Sequence, residues 1–389
     1  MNKITFWQKA AVLGSVWAAS EIVVGNFLHS MKIPFTGEIM TAFAIYLFSA
    51  TGMKWKQAGI IWRAGLIAAV MRMMNPGVSI FGPVIGMSIE ALSIYIGVLI
   101  FGKNRLGFIV GGALALNMPL TQKIVNYLIV YGWDLITVFN KTANYIISSL
   151  KIKSVEPIHF ILLMVAINSI VGILVAFAGC NAGSKPEVSF TENTKVIPDS
   201  RRISDSDKSF LRSALIIILN IAVIITLIIF IKSNLTIAAV LSFIYISIIL
   251  FKYQRTVRYL RNYKFWIQLI IVTSLTAVTY SYFLNSDFMG GLIKACEMLL
   301  RAFVITFGFA AISIEFKNPA FFNLIKRKSG ESFLTSLNFG FESVPHIIAS
   351  LPDIKSLLKP KDFLSHLLYQ TDVLLEKSTD YFINKKGEN

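Results

Sequence analysis

Apolar runs of about twenty residues recur along this chain, and a run of that length leaves the backbone one outcome. A bilayer core of about 30 Å is crossed by roughly 20 mostly apolar residues in a helix, because lipid offers no partner for an unpaired N–H or C=O. On that rule spans fall near 7–25, 38–52, 57–74, 82–101, 106–131 and 157–178. After a polar stretch, further spans fall near 212–231, 235–251, 265–284 and 297–314. The expected fold class is an all-α polytopic membrane protein with about ten transmembrane helices, six and then four. Composition agrees: 55% of the 389 residues are hydrophobic and only 15% charged, against about 25% charged in a soluble domain.

Orientation is read from Lys and Arg in short loops. Lys252, Arg255, Arg258, Arg261 and Lys264 place five cations in thirteen residues between two apolar runs, which marks that loop as cytoplasmic. Alternation then puts both termini in the cytosol, with Lys54, Lys56, Lys103 and Arg105 on the same side. The loop from Met73 to Phe81 carries no cation and falls outside; Lys141, Lys151 and Lys153 run against the trend. The formal net charge of +16 is accounted for by orientation and anionic lipid more simply than by nucleic acid. Two cysteines, Cys180 and Cys296, exclude a disulfide framework. No cleavable signal peptide is expected, because the first apolar run continues to spanning length.

Residues 183–209 are polar and read as a cytosolic linker between a membrane unit over 1–182 and a second over 210–314. Residues 315–389 never become apolar enough to span. Segments 333–350 and 354–384 mix Phe, Leu and Ile with charged residues at helical spacing and read as amphipathic cytosolic helices.

Ionisable residues inside spans are costly, so each is a candidate site residue. At 1.5 Å per residue, Glu21, Arg72, Asn75, Glu90, Lys123 and Asn126 all fall in the outer half of the first unit, with His159 at the outer start of the sixth span. The loop from Gly25 to Glu38 hangs over the same face, with Asn26, His29 and Lys32 on it and Pro34 and Gly37 fixing its path. It reads as a lid. Interfacial anchoring and helix-to-helix ion pairing explain any one of these residues equally well; their shared placement raises the group above its members. Arg63 lies nearer the cytoplasmic side, where packing or a partner contact explains it better. Ala10, Gly14 and Ala18 repeat every four residues in the first span, as do Ala11, Ser15 and Ala19, a spacing that lets helix backbones approach closely.

No Gly-x4-Gly-Lys-[Ser/Thr] loop, His-Glu-x2-His or Gly-x-Ser-x-Gly occurs, and the four histidines, at 29, 159, 346 and 366, are scattered. The chain is therefore expected to be neither an ATPase in its own right nor an enzyme, and to hold no metal or cofactor.

The small-residue spacing in the first span and the run Pro76-Gly77-Val-Ser-Ile-Phe-Gly82-Pro83-Val-Ile-Gly86 resemble the substrate-binding S component of energy-coupling factor (ECF) transporters, over about residues 5–180. The paired short spans, basic loop and amphipathic helices of the second half resemble the transmembrane T component. Leu337-Asn-Phe-Gly-Phe-Glu342-Ser-Val-Pro345-His346-Ile is similar to the stretch leading into that family's coupling helices. The Ala-Arg-Gly and Ala-Arg-Ser signatures of T components do not occur in 315–389, nor does their final apolar span.

The resemblance implies an uptake transporter of the bacterial inner (cell) membrane. Its S-like unit would bind a small water-soluble nutrient, a vitamin or precursor, through the six outer-half residues. The ridge Ala10, Gly14 and Ala18 would join the two units. The C-terminal helices, with Glu342 and Pro345, would rest on separate cytosolic ABC-type ATPases. The alternatives are an intramembrane enzyme acting on a lipid or isoprenoid substrate through Glu21, Glu90 or the arginines, and a non-catalytic membrane scaffold. A secondary carrier ranks last, because the two units differ in span number and composition.

Overall fold

A computed structural model describes residues 6–31, 33–73, 81–149, 156–184, 210–253, 263–283, 288–316, 331–350 and 360–387. All regular structure among them is helical. The basic residues Arg255, Arg258 and Arg261, candidate Asn75 and nearly all of the 183–209 linker lie outside the described residues.

Two compact units emerge, each assembled from segments distant in sequence. The first comprises Met1–Thr121, Met164–Ser204 and Ile325–Asn389; the second comprises Gln122–Leu163 and Asp205–Leu324. Two packing facts account for these groupings. Tyr131 and Leu135 share an apolar cluster with Leu269, Met298, Leu299 and Ala302, which gathers residues beyond 121 into the second unit. Phe333 and Ser336 pack on Trp7, which draws the C-terminal segment into the first.

In the first unit, α1 (Phe6–Ser20) continues through a π-helical turn, Glu21–Gly25, into α2 (Asn26–Ser30). Helices α3 (Thr36–Trp55) and α4 (Gly59–Met73) follow. Then come α5 (Phe81–Phe101), α6 (Arg105–Leu116) and α7 (Met118–Tyr131), with α6 and α7 divided by a turn at Asn117. Helix α4 packs on α1 and α5, and α3 packs on α6. Helix α1 is the hub, packing on α3, α4 and the two C-terminal helices, α14 (Glu331–Ser350) and α15 (Pro360–Gly387).

Its small residues make this possible, and they serve two neighbours. A Cβ on Gly14 would stand 2.8 Å from the Ala64 carbonyl oxygen and 3.0 Å from Ile67, both on α4. Ser15 faces another way: a Cβ on Gly340 of α14 would lie 3.0 Å from its Oγ. Backbone approach this tight maximises dispersion contact without bulky side chains, the usual currency of helix association in lipid.

The second unit holds α8 (Asp134–Ser149) and the start of α9 (Pro157–Gly183), which returns the chain to the first unit. It continues with α10 (Phe210–Ser233), α11 (Leu235–Lys252), α12 (Tyr263–Phe283) and α13 (Phe288–Phe316). Helix α8 lies in a stretch that hydropathy reads as an outer loop, and it packs on α12.

Six described helices are long and apolar enough to cross a membrane: Phe6–Ser30, Val84–Phe101, Arg105–Tyr131, Ile158–Gly183, Leu235–Lys252 and Phe288–Ile312. Leu215–Ile231 and Leu269–Ser281 are shorter apolar stretches. Helices α3 and α4, expected as spans two and three, are not among the six; α4 has only 15 residues, about 22 Å of helix. The chain is a helical membrane protein.

Candidate functional site

Most of the charge buried in the first unit gathers around the π-turn. A π-turn widens one turn of an α-helix and is frequent at functional sites. Here Glu21 opens it and Gly25 closes it, and a Cβ on Gly25 would lie 2.8 Å from the Glu21 Oε2. A side chain at position 25 would have to displace the Glu21 carboxylate from its place over the turn.

Arg72, in the last turn of α4 and only 4% exposed, clasps the turn from outside. Its Nη1 donates to the Glu21 carbonyl oxygen at 2.9 Å and its Nη2 to the Asn26 Oδ1 at 3.0 Å. Its Nε is buried with no acceptor. The carboxylate of Glu21 is its charged neighbour.

Glu90 approaches from α5, 8% exposed. Glu21 and Glu38 are its acidic neighbours, and it shares a hydrogen bond with Thr41. The Thr41 hydroxyl also donates to the Gly37 carbonyl oxygen at 2.9 Å. Three carboxyl groups and one guanidinium thus come together from four elements: the π-turn, α3, α4 and α5. With both signs of charge present, such a site suits a small ligand bearing cationic and anionic groups.

The residues expected from sequence divide accordingly. Glu21, Arg72 and Glu90 converge. Lys123 and Asn126 are exposed on α7 within the second unit. His159 is exposed at the start of α9, its Nδ1 3.2 Å from the Glu156 carbonyl oxygen.

The expected lid is mostly helix. Asn26 and His29 belong to α2, Gly37 belongs to the first turn of α3, and Pro34 sits in the short connection between them. Phe35 takes a left-handed φ of 59° just before α3. The first apolar helix runs through to Ser30 because π geometry absorbs the Glu-Ile-Val-Val-Gly run without ending the hydrogen-bond ladder. Asn26 accepts from Arg72 within that continuous helix.

Glu38 and Thr41 were missed in the sequence. They lie three residues apart on one face of α3, and that spacing was the available signal.

Elsewhere in the first unit, α14 packs on α15. The Tyr381 hydroxyl donates to Glu342 Oε1 at 3.1 Å, and Phe339 meets Tyr381 edge-on at 5.4 Å. Burial and the Glu342 carboxylate hold the Tyr381 phenol above its usual range. Pro345 sits exposed inside α14. Ser336 Oγ donates to the Trp7 carbonyl oxygen at 3.0 Å, and Lys54 of α3 pairs with Asp372 of α15 at 2.7 Å.

No protein-family model, curated sequence or solved structure matches this chain. Among the described residues no three His, Cys, Asp or Glu side chains are grouped to hold a metal ion.

The second unit has its own buried cation. Arg301 of α13 donates from Nη1 to the Tyr131 carbonyl oxygen at 3.2 Å, capping the end of α7 where helical carbonyls lack partners. Gly132 follows at φ +78°, and a Cβ there would stand 1.6 Å from Arg301 Nη1. Both its conformation and the space around it exclude a side chain. Near the end of α13, Glu315 accepts a hydrogen bond from Tyr253, and Lys252 lies 3.8 Å away.

Proposed function

We propose that this chain is a membrane subunit of an ECF-type ABC uptake transporter. In this reading it binds a small water-soluble nutrient, a vitamin or precursor, and works with separate cytosolic ATPases. The observation that carries the reading is the cluster of buried Glu38, Arg72 and Glu90 with half-buried Glu21 around a π-turn in an otherwise apolar helix. An ionisable residue inside a membrane helix is costly and is by default a functional-site candidate. Arg72 keeps one buried N–H without an acceptor, to which a ligand oxygen is suited.

The seam between α1 and α14 is consistent with the second part. A small-residue helix face against an amphipathic C-terminal hairpin is the kind of junction through which a binding unit and a coupling element would communicate. Glu342 and Pro345 are the proposed coupling residues, on α14.

The test is purification of the tagged full-length chain in mild detergent, with mass spectrometry of retained proteins and small molecules. Co-purifying ABC-type ATPases that are lost when residues 315–389 are removed support the reading. A bound small molecule lost with Arg72→Met places the site. A chain that comes down with lipid alone refutes the reading.

One observation favours a second reading. Helices α14 and α15 are fastened to α1 and α3 through Ser336, Gly340 and Asp372, as they would be in a non-catalytic scaffold whose C-terminal hairpin braces the membrane unit.

A further inference from the structure

We infer that the end of the first unit where α1 begins, α3 ends and α4 begins binds the phosphate of an anionic phospholipid. Four cations meet there. Arg63 lies over three rings, 4.6 Å from the Trp62 centroid, 5.2 Å from Trp7 and 5.6 Å from Phe6. Lys9 lies 5.7 Å from the Trp55 ring and donates to Gln57 Oε1 at 3.4 Å. Lys54 and Lys56 are exposed at the end of α3. No Asp or Glu occurs over 6–20 or 50–65. Among the described residues, Asp372 is brought in from α15 and pairs with Lys54.

Two further features give this charge a direction. Helix α4 starts at Gly59 with no acidic residue in its first turn, so the positive end of its dipole is uncompensated and attracts an anion. The Arg63 guanidinium spends Nη1 on the Gly59 carbonyl oxygen at 2.7 Å, while its Nε is buried with no acceptor. A guanidinium flanked by rings is weakly hydrated and ready to engage phosphate.

Lipid rather than free phosphate follows from the apolar surroundings. Three of the chain's six tryptophans, Trp7, Trp55 and Trp62, stand at this end, and indoles concentrate at headgroup level. Phe6 and Leu66, beside Arg63 and one turn beyond it, are exposed and offer a path for acyl chains. Trp7 also meets Phe333 of α14 edge-on at 5.2 Å, so a lipid bound here touches the cluster on which the C-terminal hairpin is seated.

The experiment uses the full-length protein in nanodiscs of phosphatidylcholine with and without phosphatidylglycerol, read by native mass spectrometry after release. The wild type is expected to retain phosphatidylglycerol in preference to phosphatidylcholine. The Lys9→Gln/Lys56→Gln double variant is expected to lose that retention by about five-fold per cation removed. Lys103→Gln/Lys141→Gln removes the same net charge from exposed positions elsewhere and is expected to retain the lipid fully. Three results would overturn the inference: equal retention of both lipids, equal loss in the two double variants, or displacement of phosphatidylglycerol by inorganic phosphate. The last would make the site one for soluble phosphate.

Discussion

Replacing Arg72 with Met isolates what the clasp around the π-turn is worth. Met keeps much of the side-chain volume and removes the guanidinium. The Glu21 carbonyl oxygen and the Asn26 Oδ1 then lose donors at 2.9 and 3.0 Å. Hydrogen bonds to a charged group contribute about 1.5–3 kcal/mol each. Removing one partner from a buried charged set costs about 3–5 kcal/mol, because the remaining charge is stranded. The two estimates agree on a loss near 3–5 kcal/mol.

Thermal unfolding of the purified protein in mild detergent, followed by tryptophan fluorescence, should fall by about 2–4 °C per kcal/mol lost, a drop of roughly 6–20 °C. The decisive comparison is Arg72→Met combined with Glu21→Gln. Removing the Glu21 charge should recover part of the loss, with a coupling of about 0.5–3 kcal/mol, because Glu21 is the charged neighbour of Arg72. If the double variant is no more stable than Arg72→Met, the two charges do not depend on each other. The reading of the cluster as one electrostatic unit then fails.

Other perturbations probe the remaining contacts. Gly14→Val drives a side chain into the Ala64 carbonyl and Ile67. It should cost about 1–3 kcal/mol as an overpacked seam, seen as a lowered unfolding midpoint, whereas Gly102→Ala, at half-buried Gly102 with φ +87° and only ordinary contacts around it, reports the backbone cost. Gly132→Ala meets Arg301 Nη1 and a φ of +78°; in an Arg301→Ala background the clash vanishes and only the backbone strain should remain in the melt. Lys54–Asp372, about one-third exposed on each side, should contribute at most about 1 kcal/mol. Lys54→Glu should speed proteolysis of α15, and Asp372→Lys added to it should restore protection.

The Tyr381 phenol has its folded pKa raised by burial and by Glu342. Its contribution to the α14–α15 hairpin should therefore be complete below the ordinary tyrosine range, near pH 10. It should be lost as pH rises through the raised folded value. Hydrogen exchange of α14 should follow that window and lose its dependence in Tyr381→Phe.

Hydropathy made the membrane class and six of the helices legible, since a run of apolar residues is a one-dimensional signal. It also found Glu21, Arg72 and Glu90, because a charge interrupting such a run is conspicuous. Depth along a helix does not give direction around it, and so Lys123 and Asn126 appeared to belong with them. The turn at Asn117 resets the phase of α7 in a way that continuous hydrophobicity conceals. Asn26 falls beyond the first apolar run in sequence, whereas the π-turn carries the helix on through it, with Gly25 beside the Glu21 carboxylate. Helix α8 was invisible because its amphipathic pattern lies between apolar runs and it is held by packing on α12. The docking of α14 on α1 depends on Gly340 meeting Ser15 across 325 residues, and no local pattern encodes such a pairing.

That distance has a consequence for biogenesis. Helix α1 leaves the ribosome first, and its Ser15 face stays uncovered until Gly340 has been made. At about 5–20 residues per second, the wait is roughly 15–65 seconds. Throughout it, a helix that is otherwise apolar offers one narrow, small-residue groove to every other helix in the bilayer. Synthesis rate, and whatever shields that groove in the meantime, thus enter the folding of this protein as directly as its final contacts do.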